Sequence, residues 1–178
     1  MDSNLYTMTI PPMRKAIVAL DKILDKAAVF VATKNTPRHN YESAMLGARL
    51  TFDQFSLVMQ VQRVSDNAKG GAARLAGIEA PSFEDTETTF AELKERLAKT
   101  IAFLDTIQSE DVAGHDDRKV TVHYFPGKHF MAIDYAREYL MPNFYFHVVT
   151  AYAILRNNGL DIGKADYIDG LTLHDDNA

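Results

Sequence analysis

With 178 residues, the chain is long enough for one domain that buries a core without disulfides. It contains no cysteine, which excludes disulfides, thiolate metal centres and a cysteine nucleophile within it. A net charge of -5, with no cluster of Lys and Arg, argues against nucleic acid or an anionic membrane as the main partner.

Residues 1–7 lack the basic-then-apolar pattern of a signal peptide, and no apolar run is long enough to span a bilayer; the expected location is cytoplasmic. Thr9 can cap a first helix, with Pro11 and Pro12 in its first turn, where a missing N–H costs little. Ile17, Leu20, Leu24 and Ala27 then follow helical spacing, and the helix should fade before Thr36-Pro37. Residues 41–50 read as a short helical segment. Asp53 can cap a second long helix running through Phe55, Val58, Val61, Val64, Ala68 and Leu75 to Gly77. Gly70-Gly71 within it implies close approach by another backbone.

Asp85 or Thr86 can cap a third helix, whose apolar stripe is Phe90, Leu93, Leu97, Ile101 and Leu104. Glu92, Lys94, Glu95, Arg96 and Lys99 read as its solvated face. Residues 109–119 are loop. Residues 120–124 alternate as a strand, Pro126-Gly127 turns the chain, and residues 128–131 return it as a hairpin. Residues 133–139 read as a helical turn. Pro142 opens a fourth long helix that Gly159 ends, and an Asp-rich tail follows. The expected fold is all-α: one domain over residues 1–178, with a four-helix bundle over about residues 9–168, crossover connections, and a small β-hairpin between helices three and four.

In a bundle, a site forms where polar side chains break an apolar stripe between facing helices. Asn143 and His147 lie four apart on the fourth helix amid Phe144, Tyr145, Phe146, Val148 and Tyr152. The second helix offers Gln60, Gln62 and Asp66; Asp66 can orient the His147 ring by a hydrogen bond. The candidate pocket is therefore His147, Asn143, Gln60, Gln62, Asp66 and Tyr145. A buried histidine satisfied by one such bond accounts for the same pattern. His123 and His129 flank Pro126 and face each other if the hairpin loop has three residues, which would suit a metal ion. There is no phosphate-binding glycine loop and no G-x-S-x-G elbow.

The run from Pro142-Asn143-Phe144-Tyr145-Phe146-His147 to Leu155-Arg156-Asn157-Asn158-Gly159 resembles the DinB/YfiT-like metalloenzyme superfamily, in a branch known as a domain of unknown function. The stretches Gln60-Val61-Gln62 to Asp66, Ala68-Lys69-Gly70, Ala73-Arg74-Leu75-Ala76-Gly77 and Pro81-Ser82-Phe83-Glu84-Asp85-Thr86 carry the same resemblance, which extends to Ile168. It implies a four-helix bundle with an unusual order of helix directions, often dimeric, and a three-His metal site. One His of that site comes from the second helix and two from an H-x-x-x-H pair on the fourth. Here His147 falls on the second His of the pair and Asn143 on the first, while Gln60 or Gln62 occupies the neighbourhood of the third. His147 is the only retained candidate ligand, so no metal or other cofactor is expected; zinc or nickel is the alternative. The leading expectation is a small-molecule-binding or scaffold protein, with room for a stress-related role, forming a homodimer. The alternatives are a metal- or thiol-dependent transferase or hydrolase using His147, and a purely structural dimer-forming bundle.

Overall fold

A computed structural model describes residues 5–176. Four long helices, α1 (Leu5–Ala32), α3 (Leu57–Ala76), α4 (Phe90–Leu104) and α7 (Met141–Asn157), form the bundle. The short helices are α2 (Tyr41–Gly47), α5 (Ser109–Val112), α6 (Ala132–Asp134) and α8 (Lys164–Ile168). Among the long helices, α3 packs mainly on α7 and α4, and α1 mainly on α4 and α7. Going round the bundle the order is α1, α4, α3, α7. Consecutive α1 and α3 thus lie across a diagonal, as do α4 and α7, which is the crossover arrangement expected.

The first helix starts earlier than its prolines suggest. Leu5 opens it, and Pro11 and Pro12 lie inside. Leu5, Thr9, Ile10 and Met13 are all buried, and the Thr9 hydroxyl donates to the Leu5 carbonyl at 2.7 Å. Burial of the extra turns offsets the two ladder hydrogen bonds that proline cannot make. The bundle therefore already includes residue 5, ahead of the start expected near residue 9.

Other boundaries moved for local reasons. Ser56 precedes α3, so Asp53 lies in the turn before it and Phe55 outside it. Gly77, at φ 72°, closes α3 in the left-handed conformation, and the Arg118 guanidinium donates to the freed Leu75 carbonyl. On α4 the cap is Thr89, not Asp85 or Thr86: its hydroxyl accepts from the Glu92 N–H while the Glu92 carboxylate accepts from the Thr89 N–H. Asp85 is drawn away to Arg63 and Arg96.

The hairpin is smaller than the alternation suggests. Only β1 (Lys119–Val120) and β2 (Phe130–Met131) pair, antiparallel, with Val120 opposite Phe130. Residues 121–129 form a nine-residue connection rather than a three-residue loop. His123 and His129 therefore do not face each other across paired strands, and the His123 ring lies against Tyr124 with centroids 3.8 Å apart. Among the described residues no helix is long and apolar enough to cross a membrane.

The fourth helix is longer than its proline implies. After β2, α6 runs into a π-helical turn, Tyr135–Leu140, and on into α7. Met141 N–H donates to the Ala136 carbonyl five residues back. Pro142 has no N–H to give, and the wider turn before it accommodates the missing bond. Beyond α7, α8 packs on α1, tied by Lys26–Asp166 at 2.5 Å and Lys22–Asp169 at 2.6 Å. The start of the Asp-rich tail is thus held on the bundle; residues 177–178 lie outside the described residues.

Candidate functional site

Helix α3 presents polar groups to two neighbours. Toward α7 it offers Gln60, Arg63, Asn67 and Arg74. Toward α4 it offers Gln62 and Ser65, and Asp66 stands between the two faces, bonded to Arg96 and reaching the α7 side. Gln60 and Gln62 are two residues apart, hence about 200° apart around the axis, and cannot share a face.

On the α7 side a cavity of about 300 Å³ opens between two rows. One row is Arg63, Asn67 and Arg74 on α3. The other is Tyr135, Tyr139, Asn143 and His147, evenly spaced by four. Four residues of α-helix turn through about 400°, so such a row should drift by about 40° at each step. The π-helical turn has more residues per turn and takes drift back, which keeps Tyr135 and Tyr139 in line with Asn143 and His147. The hairpin connection closes one side with Val122, His123 and Tyr124, and Phe55 stacks on the His147 ring at 6.4 Å.

Two carboxamides fix the polar chemistry of this pocket. The Gln60 amide Nε2 donates to the Phe55 carbonyl at 3.3 Å, so its Oε1 must accept. It accepts from His147 Nδ1–H at 2.7 Å, leaving the lone pair of the ring on Nε2. The Asn67 amide Nδ2 donates to the Arg63 carbonyl at 2.8 Å, so its Oδ1 must also accept. It accepts from Asn143 Nδ2 at 2.6 Å, leaving Asn143 Oδ1 as an acceptor. Each relay starts from a backbone carbonyl, which can only accept, and so sets the polarity of every group after it. His147 is buried, and its pKa is pushed down to about 4 by that burial and by the nearby Arg63 guanidinium. At neutral pH it is an uncharged acceptor.

At the other end, the Arg74 guanidinium folds back over Gly70: a Cβ there would meet Arg74 Nη1 at 2.9 Å. It donates to the Tyr135 hydroxyl at 3.4 Å and, among the described residues, has no carboxylate within ion-pair distance. The Tyr135 phenol is pushed above its ordinary value by burial, partly offset by Arg74. Gly71 admits a side chain, not the backbone expected from the sequence: its Cβ would sit 2.3 Å from a methyl of the buried Leu140.

The expected site is therefore brought together in part. His147, Asn143 and Asp66 line the pocket, and Gln60 stands behind His147 as the group that orients it. Asp66 does not fill that orienting role. Its oxygens are held by Arg63 at 3.1 Å, Lys69 at 3.2 Å and Arg96 at 2.9 Å, which leaves Gln60 as the partner of the ring. Gln62 faces α4 and donates to Glu87 at 2.9 Å. Tyr145, two residues from His147, points to the opposite side and lines a cleft with Pro11, Pro12 and Tyr167. Arg63, Asn67, Arg74, Tyr135 and Tyr139 were not anticipated. Their signal lies in the spacing, since Arg63, Asn67 and Arg74 share a face of α3 and the two tyrosines extend the Asn143–His147 row.

The residue most at odds with its sequence reading is Arg96, expected on the solvated face and found with its side chain only 2% exposed. It bonds Asp66, Asp85 and Glu87, each at 2.9 Å, and the Glu84 carbonyl at 3.0 Å. Phe83 covers the guanidinium. Burial opposes its charge, but Glu87 and the two aspartates outweigh that and hold it protonated.

The pocket does not suit the metal site implied by the resemblance. Of the positions where the resemblance implies histidine, only His147 holds an imidazole; Asn143 and the glutamines of α3 present neutral amides, poor ligands for zinc or nickel, and the other lining histidine, His123, comes from the hairpin connection. Among the described residues no group of three or more His, Asp or Glu is placed to hold an ion.

A solved structure of a DinB family member protein from Shewanella denitrificans superimposes with a TM-score of 0.88 at 37% identity, covering 96% of this chain and 95% of that one. No curated protein matches the chain. The family model described as Domain of unknown function (DUF1993) matches residues 5–168, and the chain, with a DinB-like fold, belongs to that family.

Proposed function

We propose that this protein is a small-molecule-binding bundle that takes its ligand in the cavity between α3 and α7. One observation carries the reading: two amide relays, each anchored on a backbone carbonyl, leave His147 Nε2 and Asn143 Oδ1 as acceptors lining a cavity of about 300 Å³. A core that needed only internal satisfaction would close these acceptors on protein donors. Aromatic walls with a few convergent polar groups are the usual make-up of a ligand pocket. An enzyme using His147 as general base is less well supported, because a ring whose pKa is about 4 is a weak base at neutral pH.

The test is a fragment screen by NMR on the full chain, following the His147 imidazole and the Asn143 and Asn67 side-chain amides. Saturable shifts at these three residues by one chemical series support the reading. A broad fragment library that leaves them unmoved at millimolar concentration sinks it.

A further inference from the structure

The polarity of the pocket, read end to end, is directional, and this inference rests on the pocket being a ligand site. At one end is Arg74, a guanidinium with five donors in a planar fork and, among the described residues, no carboxylate partner. At the other end is one acceptor, His147 Nε2, and between the two ends stands a second, Asn143 Oδ1; the relays fix the orientation of both. From the arrangement of these groups we infer that the ligand is a small monocarboxylate with a flat ring and a neutral hydroxyl or amine donor at the end remote from the carboxylate.

Each part of that description has its own support. The carboxylate follows from Arg74. The other cation lining the pocket, Arg63, is already paired with Asp66 at 3.1 Å and Asp85 at 2.6 Å. Asp66, the one carboxylate lining the pocket, is held by Arg63, Lys69 and Arg96. One cation is thus unbalanced and one negative charge suits it, with the bidentate fit that arginine offers a carboxylate. The remote donor follows from His147 Nε2, the acceptor farthest from Arg74. It should be neutral because Arg63 acts unfavourably on a protonated His147, so positive potential already exists at that ring. An ammonium group would meet the same repulsion.

The flat body follows from the walls and the length. Tyr135 and Tyr139 are stacked at 5.9 Å, and His123 lies against Tyr124 at the hairpin side. The Arg74 guanidinium lies at the level of Gly70, about 4.5 Å along α3 from Asn67, and Asn143 to His147 is about 6 Å along α7. Asn67 and Asn143 are bonded, so the two steps add to about 10 Å. With a hydrogen bond of about 2.8 Å at each end, about 5 Å remains for the ligand, the span of one ring between opposite substituents.

The experiment uses three probes on the full chain: 4-hydroxybenzoate, benzoate and phenol, titrated by NMR with calorimetry. 4-Hydroxybenzoate should bind most tightly, at least tenfold better than either probe that lacks one of its two polar groups. Arg74→Gln should weaken it tenfold or more without weakening phenol. Arg74→Lys, which keeps the charge and loses the fork, should recover only part of the loss; a thermal melt checks that both variants fold. Phenol binding as tightly as 4-hydroxybenzoate, or indifference to Arg74→Gln, overturns the carboxylate assignment while leaving the pocket intact. Failure of all three probes to move His147 or Asn143 overturns the ligand class, and the broader fragment screen then decides separately whether the pocket binds anything.

Discussion

Two polar clusters flank the same helix and differ in kind. On the α4 side of α3, Arg96 sits among Asp66, Asp85 and Glu87 under Phe83, beside a cavity of about 300 Å³. On the α7 side, Gln60, Asn67, Asn143 and His147 form two neutral relays that end in open acceptors. In the charged cluster the cation is met by its own counter-ions, and the neutral cluster is left unfinished. A buried charge must be paired to persist, so its partners converge on it and leave little for a ligand. Neutral amides can be half satisfied at modest cost, and the unsatisfied half is where a ligand gains affinity. The richer array of ionisable groups is therefore the structural one.

That contrast can be broken most sharply at Arg96. Arg96→Met should lower the unfolding free energy by about 3–5 kcal/mol, because Asp66 and Glu87 lose their buried partner; chemical denaturation measures it. Retention of near-normal stability would mean that the charged cluster is not structural. The same side should fail in acid. The Glu87 carboxyl is held below its ordinary range: burial works against its charge, but hydrogen bonds from Gln62 and Arg96 win. Its stabilisation is present above the unfolded carboxylate pKa and is lost as pH falls through the lower folded value.

On the other side the pH response has a different window. His147 has a folded pKa of about 4 against an unfolded value near 6.5. Between these the unfolded chain binds the proton more readily, so the His147 contribution is complete above pH 6.5 and declines toward pH 4. The loss should approach about 3 kcal/mol, and His147→Gln should flatten that part of the stability curve. A similar slope in the variant would show that other groups carry it.

Gln60→Leu is expected to cost less, about 1–3 kcal/mol, by stranding His147 Nδ1–H. It should also free the ring to change tautomer, visible in the imidazole nitrogen shifts. Unchanged shifts would mean that Gln60 does not set the polarity of the pocket. Arg74→Gln should have the smallest effect on stability, within about 0.5 kcal/mol, since Arg74 makes one long hydrogen bond and no ion pair among the described residues. A large loss of stability would move Arg74 from the open cluster to the structural set.

The bundle and the inward face of α7 were legible because apolar periodicity reports burial directly, and Asn143 and His147 are four apart on an apolar helix. The relays were only half legible. Gln60 could be named from its position, but choosing between Gln60, Gln62 and Asp66 as the partner of His147 needs the rotation of α3 against α7, which periodicity on one helix does not give. Arg96 was hidden by its neighbours. Lys94, Glu95 and Lys99 are charged and remain at least partly exposed, yet Arg96 lies three residues from Leu93 and four from Thr100, both fully buried. A charge on that spacing belongs to the core face, and its counter-ions lie on α3 (Asp66) and in the segment before α4 (Asp85 and Glu87), beyond any local pattern. The tyrosines of the pocket were obscured by Pro142, which reads as a helix start and here interrupts nothing.

The π-helical turn before that proline makes pocket composition a matter of residue count. Phe144, Val148, Ala151 and Leu155 anchor α7 in the core, so its phase is fixed from that end. Removing one residue from the turn Tyr135–Leu140 would swing everything before it by about 100°, taking Tyr135 and Tyr139 off the cavity wall without changing a single side chain near His147. A related chain could therefore exchange half of its pocket through one deletion and leave its amide relays untouched.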